Sequence, residues 1–224
     1  MTEPTDRAMT ILVTAFEPFG GEVVNPALEA VRGLPSTLAG ARLVTVEVPT
    51  VFGRSLDVVR EAIDRHWPDA VLCVGQAGGR ASVTVERVAI NVDDASIPDN
   101  AGAQPVDLPV VEGAPAAYLT TLPIKAMVHA IRDAGLPAAV SNTAGTFVCN
   151  HLMFGVLHHL ATHGQRAGQA RGGFIHVPYI PAQVMDRPEL ASMALDDTRR
   201  ALEVAIEAIA THEVDITLAA GATH

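Results

Sequence analysis

The sequence predicts a single α/β domain. Short apolar runs rich in Val and Ile alternate with helix-patterned segments, and no repeat, linker or composition shift divides the 224 residues. The expected strands are residues 11–15, 43–48, 70–75, 138–141 and 173–177. Each is a short continuous apolar run, the pattern of a strand covered on both faces of a largely parallel sheet. A further strand or ribbon is expected through residues 83–92. Between them lie expected helices at 26–32, 53–65, 124–134, 150–163 and 195–211. In the last, Leu195, Leu202, Ala205, Ile206 and Ile209 share one face, while Arg199, Arg200 and Glu203 lie elsewhere. Residues 93–116 hold four prolines with several Asp, Asn and Gly, so they read as an irregular loop. Loops of that length in a compact domain are usually functional. Residues 1–9 read as a flexible tail.

Composition narrows the function classes. Hydrophobic residues make up 49% and charged residues 18%, so the chain can bury enough apolar surface to order itself. The formal net charge of −10 argues against a nucleic-acid-binding face, which needs clustered Lys and Arg. No window approaches the ~20 apolar residues that span a bilayer, and the polar start lacks a signal peptide's apolar stretch. The expectation is a cytoplasmic protein with no membrane partner. Cys73 and Cys149 stand in unrelated contexts, which speaks against a disulfide framework.

In open α/β sheets, ligands bind outside the carboxyl ends of the strands. If the five main strands run parallel, their ends converge on one rim. That rim would carry Phe16-Glu17-Pro18-Phe19, Pro49-Thr50, Gln76-Ala77-Gly78-Gly79, the stretch from Ser141 to Cys149, and His176-Val177-Pro178. Cys149 falls between a Gly-containing turn and an apolar helix. Helix-start amides and the dipole favour a thiolate there and can hold an oxyanion. A small buried packing residue remains the alternative, and it is the better reading for Cys73 in mid-strand. His176 ends its strand before a proline, where an imidazole can serve a thiol as general base. Glu86 either orients that imidazole or forms a surface pair with Arg87. His159 and His163 have the spacing of a metal pair, but no third ligand suggests itself, and a solvated helix face is the better reading.

Five motifs in order raise these candidates above their generic alternatives. They are Phe16-Glu17-Pro18-Phe19-Gly20-Gly21, Gly75-Gln76-Ala77-Gly78-Gly79-Arg80, Glu86-Arg87-Val88-Ala89-Ile90-Asn91, the run from Ser141 to Asn150, and His176-Val177-Pro178-Tyr179. Together they span residues 16 to about 183 and resemble the pyroglutamyl peptidase I (pyrrolidone carboxyl peptidase) family of cysteine peptidases. The resemblance implies a three-layer α/β/α sandwich and frequent assembly as a homotetramer, with no metal or organic cofactor. It implies Cys149 as nucleophile, His176 as general base and acid, and Glu86 as the residue orienting His176. The expected substrates are peptides with an N-terminal pyroglutamate, held in a slot of Phe16, Phe19, Phe147, Val148, Thr50 and Ile97. Gln76 would accept from the lactam N–H, and Asn25 would brace the Phe16–Phe19 loop. Ser96 departs from the pattern, since the family has arginine there, and reduced or altered turnover is the expectation. Val110 and Leu119 read as either interface or core. The rival functions are another thiol amidase acting on a small lactam or glutamine-like amide, and a silent binding protein that keeps the pocket.

Overall fold

The computed structural model describes residues 7–163 and 167–221. Each expected strand and helix forms, with ends shifted by three residues or fewer. The strands are β1 (Thr10–Phe16), β2 (Thr37–Leu38), β3 (Ala41–Val48), β4 (Ala70–Gln76), β5 (Val83–Glu86), β6 (Val88–Ile90), β7 (Ala117–Leu119), β8 (Ala138–Ser141) and β9 (Arg171–Val177). The helices are α1 (Pro26–Arg32), α2 (Arg54–His66), α3 (Ile124–Asp133), α4 (Val148–Thr162) and α5 (Leu195–Thr211). Seven strands form one sheet in the order β2-β3-β1-β4-β9-β5-β8, and β6 pairs with β7 in a separate ribbon. Among the described residues, no helix is long and apolar enough to cross a membrane. The expected tail at residues 1–9 lies outside the described residues as far as residue 6. Beyond it, Arg7 pairs with Asp69 and Met9 packs on the core.

Burial explains the continuous apolar runs. β1 and β4 are buried at every residue because helices cover both faces. One layer carries α1, α3 and α5, with Ile11, Val13, Leu72 and Ile175 beneath Met127, Ile131, Leu202 and Ile206. The other layer carries α2 and α4, with Leu12, Val71 and Phe174 beneath Leu56, Leu152 and Phe154. The structure is thus a mostly parallel α/β/α sandwich, as the sequence led us to expect. Helix α2 comes so close to α4 that a Cβ on Gly155 would stand 2.4 Å from a Leu56 methyl. A side chain at position 155 would require Leu56 to shift.

The expectation that five strand ends share one rim needs correction. β1, β3, β4 and β9 run parallel, but β5 is antiparallel to β9, and β8 follows β5. The cause is connection length. Six residues separate β4 from β5, enough for a reversal but not for a parallel crossover, which takes a dozen or more. β8 therefore points the other way, and residues 142–147 must turn back before α4 can begin. Residues 83–92, expected as one strand or ribbon, divide at Arg87 between the main sheet and the β6–β7 ribbon.

The buried side chain of Asn150 ties that ribbon to α4. It accepts from Ile90 N–H and donates to the carbonyls of Ile90 and Val92, all at 2.9 Å. The irregular loop after it, residues 91–116, is pinned by paired backbone bonds between Asp93 and Leu108.

Candidate active site

Three elements bring Cys149, His176 and Glu86 together. Cys149 lies in the first turn of α4, whose start at Phe147 has no side-chain cap, so its leading amide N–H groups stay available. His176 and Gly75 are register partners on neighbouring parallel strands. Their side-chain directions therefore leave the same face about one strand spacing, ~4.8 Å, apart. Gly75 has no side chain, and Cys149 Sγ fills that space, 3.0 Å from where a Cβ would stand. The thiol is thereby seated in the column beside the imidazole.

Glu86 ends β5 on the other side of β9. Its carboxylate has no solvent exposure, and its Oε1 lies 2.8 Å from His176 Nδ1. Arg80, from the β4–β5 turn, donates to the same oxygen at 2.5 Å. The guanidinium also binds Thr84 Oγ1 and the Thr143 carbonyl, so one side chain ties the turn, β5 and the loop before α4.

The charges follow from this packing. Burial works against ionised Glu86, but the hydrogen bond and charge of His176, with Ser141 and Arg80, outweigh it and hold the carboxyl below its usual range. An ionised acceptor places the proton on His176 Nδ1 and leaves Nε2 with the lone pair. Burial lowers the pKa of His176, Glu86 opposes this and Arg80 adds to it, and the net direction is down. For Cys149, burial and then Glu86 push the thiol up to about 12 against the pull of Arg80. This corrects the expectation of a thiolate at the helix start. A helix dipole supplies at most ~2 kcal/mol, about 1.5 pH units, less than burial and Glu86 add in the other direction. Cys73 is buried in mid-strand, in line with a packing role.

The six residues expected to form the slot divide into three groups. Phe19 and Phe147 face each other with ring centroids 6.1 Å apart, and Phe52 meets Phe147 edge-on at 5.5 Å. Thr50 is tied to the loop that carries Phe19, its Oγ1 donating to the Glu17 carbonyl and its N–H to Glu17 Oε1. Phe16 and Val148 are buried in the core with Phe174, so their side chains support the site from below. Ile97 and Ser96 are exposed on the long loop. Asn25 caps α1 through Ala27 N–H and donates to the Glu17 carbonyl, which braces the Phe16–Phe19 loop. Gln76 Oε1 accepts from Gln183 Nε2 at 3.1 Å.

The sequence reading did not single out Arg80, Phe52, Asp99, Gln183 or the gap at Gly75. Asp99 Oδ2 accepts from Phe52 N–H, and Asn100 donates to Glu17 Oε1 and the Pro18 carbonyl, which fastens the long loop to the aromatic pocket. Of these residues, Arg80 and Gly75 lay inside a quoted motif; the others carry no local pattern. Among the described residues, no group of three or more His, Cys, Asp or Glu is arranged to hold a metal. His159 stacks on His163 at 4.9 Å. A cavity of about 900 Å³ lined by Arg7, Trp67, Asp69 and Arg171 opens at the opposite edge of the sheet, where the parallel strands begin, away from Cys149.

Comparison with known proteins converges on one group. The model of the pyroglutamyl peptidase family matches residues 9–212. The pyrrolidone-carboxylate peptidase of Streptococcus suis is 56% identical over 218 residues, 96% of this chain and 100% of that protein. That of Escherichia fergusonii is 57% identical over 216 residues, 96% of this chain and 99% of its own. Among solved structures, pyroglutamyl peptidase I from Bacillus amyloliquefaciens superposes with a TM-score of 0.91 at 50% identity, covering 95% of this chain and 100% of that one. A mutant pyrrolidone carboxyl peptidase from Pyrococcus furiosus gives 0.85 at 41% identity, covering 90% and 98%.

The seat of the thiol can be tested directly. A Cβ at position 75 would also lie 2.9 Å from the Phe174 ring. Gly75→Ala should therefore cost about 1–3 kcal/mol of stability through overpacking and slow the alkylation of Cys149 by iodoacetamide. Denaturant unfolding and labelling kinetics check this. Parental values for both would show that the thiol does not depend on the gap.

Proposed function

The chain belongs to the pyroglutamyl peptidase family, and from that premise we infer how its own residues carry out the reaction. It is a cysteine peptidase that removes N-terminal pyroglutamate from peptides. We assign the chemistry to Cys149, His176 and Glu86 on one observation above the others: His176 Nδ1 bonds the buried Glu86 carboxylate while Cys149 Sγ fills the space beside it over Gly75.

The thiol begins neutral, so its deprotonation is part of the attack. His176 Nε2 takes the Sγ proton as sulfur adds to the carbonyl carbon of the pyroglutamyl bond. Glu86 stabilises the imidazolium that results. Leading amides of α4 receive the oxyanion. On collapse the C–N bond breaks, His176 returns its proton to the departing amine, and pyroglutamate remains as a thioester on Cys149. Water attacks that thioester with His176 again as base, releasing pyroglutamate and restoring the thiol.

The pocket suits a lactam. Pyroglutamate has no ammonium group, so an apolar slot of Phe19, Phe52 and Phe147 accepts its ring without a carboxylate partner. Gln183 holds the Gln76 amide in place. A carbonyl oxygen has two lone pairs, which leaves one on Gln76 Oε1 for the lactam N–H. A charged N-terminal glutamine or glutamate would have to lose its hydration in the same slot.

The assembly and compartment are part of the same proposal. Leu119 is 66% exposed on the β6–β7 ribbon, and Val106 and Leu108 are exposed on the adjoining loop, which supports a homotetramer. Val110, by contrast, packs on the core. The two free cysteines suit a reducing cytoplasm. A native mass four times the 23.5 kDa of the chain, in the cytosolic fraction, is the expected result; a monomer or a secreted product would refute it.

Cys149→Ala should lower kcat on a pyroglutamyl fluorogenic amide by at least about 10⁴-fold with thermal unfolding intact. Turnover near the parental value would sink the assignment. In the parent, the acid limb of kcat/KM should fall below pH 6.5, because burial lowers the pKa of His176 and catalysis needs its neutral form. Glu86 raises that pKa, so Glu86→Gln should move the limb to still lower pH and reduce kcat less than Cys149→Ala does. A limb that rises would contradict the assigned role of Glu86.

A further inference from the structure

A second histidine–carboxylate pair lies two residues beyond Cys149, and the mechanism above does not use it. His151 Nδ1 is 2.8 Å from Asp93 Oδ2, and both side chains are more than nine-tenths buried. The other ring nitrogen, Nε2, accepts from the backbone N–H of Gly53 at 3.0 Å. A backbone amide can only donate, so Nε2 carries the lone pair and Nδ1 the proton. The Asp93 backbone is bonded in both directions to Leu108, and the neighbouring Asn150 holds Ile90 and Val92. The carboxylate that orients His151 is thus itself fixed.

The bond to Gly53 acts on the aromatic pocket. Residues 52 and 53 form the turn between β3 and α2. Two of its amides are held from outside, Phe52 N–H by Asp99 and Gly53 N–H by His151. The Phe52 ring stands edge-on to His151 at 5.4 Å and edge-on to Phe147 at 5.5 Å. We propose that His151, oriented by Asp93, is a positioning residue that sets the lactam slot by fixing the Phe52–Gly53 turn against Phe147. It governs affinity for the pyroglutamyl ring and leaves bond breaking to Cys149 and His176. The inference rests on the pyroglutamyl-binding reading above.

Two near-isosteres separate the ring's two bonds. In His151→Gln the side-chain oxygen can stand where Nε2 does and keep the Gly53 bond. In His151→Asn the amide nitrogen can stand where Nδ1 does, keeping Asp93 and losing Gly53. The readouts are kcat and KM on a pyroglutamyl fluorogenic amide, and the inhibition constant of free pyroglutamate. His151→Asn should raise KM and that constant about tenfold, the worth of one buried hydrogen bond, with kcat within about threefold. His151→Gln should recover most of the loss. Equal rises in both variants, or a fall in kcat at parental KM, would overturn the proposal. If His151→Asn does not fold, the unsubstituted enzyme decides. The ¹⁵N resonance of an unprotonated His151 Nε2 should shift as pyroglutamate is added, and indifference to pyroglutamate overturns the proposal. A parent inactive on the amide refutes instead the functional reading on which the proposal rests.

Discussion

The site depends on the burial of one charge. Glu86 has no contact with solvent, and a carboxylate in that position costs several kcal/mol unless partners compensate it where it stands. Two partners reach the same oxygen, Arg80 from the β4–β5 turn and His176 from β9. Their requirement explains the local topology. The short turn that delivers Arg80 also forces β5 to run against β9, which sets Glu86 diagonally across from His176. Arg80 then extends to the Thr143 carbonyl, in the loop that must reverse before α4 can start. Compensation of Glu86 and placement of Cys149 are therefore one structural problem with one solution.

The same burial decides which protonation states chemistry starts from. A helix N-terminus by itself argues for a thiolate. In the folded chain the thiol packs over Gly75 near the Phe174 ring, and it faces the negative field of Glu86. Both effects oppose a negative sulfur, and they exceed what a helix dipole supplies. Burial thus disfavours charge on the thiol and on the imidazole alike. In the proposed mechanism Glu86 contributes most when His176 becomes positive as sulfur attacks, so its stabilisation falls on the transition state more than on the resting pair.

Most of the fold was legible because helix and strand periods and apolar runs are local signals. β1, β4 and α5 lie where their patterns put them. Strand direction was not legible in the same way, since β8 looks like any buried strand. Only the length of the connection before β5 carries the information that β5 and β8 run against the rest. The site shows the same division. Cys149, His176 and Glu86 stand in long motifs, and the chain does bring them together. Phe52 and Asp99 were missed because their importance lies in a contact between residues 47 apart. Gly75 stood in a quoted motif, yet its role is the absence of a side chain under a thiol from another element, which no periodicity announces.

The first turn of α4 shows why these separate features act together. Cys149 points to the sheet over Gly75, Asn150 holds the β6 ribbon, and His151 holds the turn before α2. Successive helical residues project about 100° apart, so three neighbours reach three different elements from one rigid turn. Any movement of that turn shifts Cys149 and the Phe52–Phe147 contact together. Their spacing is thus maintained by a single piece of secondary structure rather than by two loops adjusting independently. A small rigid substrate such as a five-membered lactam, with few bonds of its own to adapt, has most to gain from that arrangement.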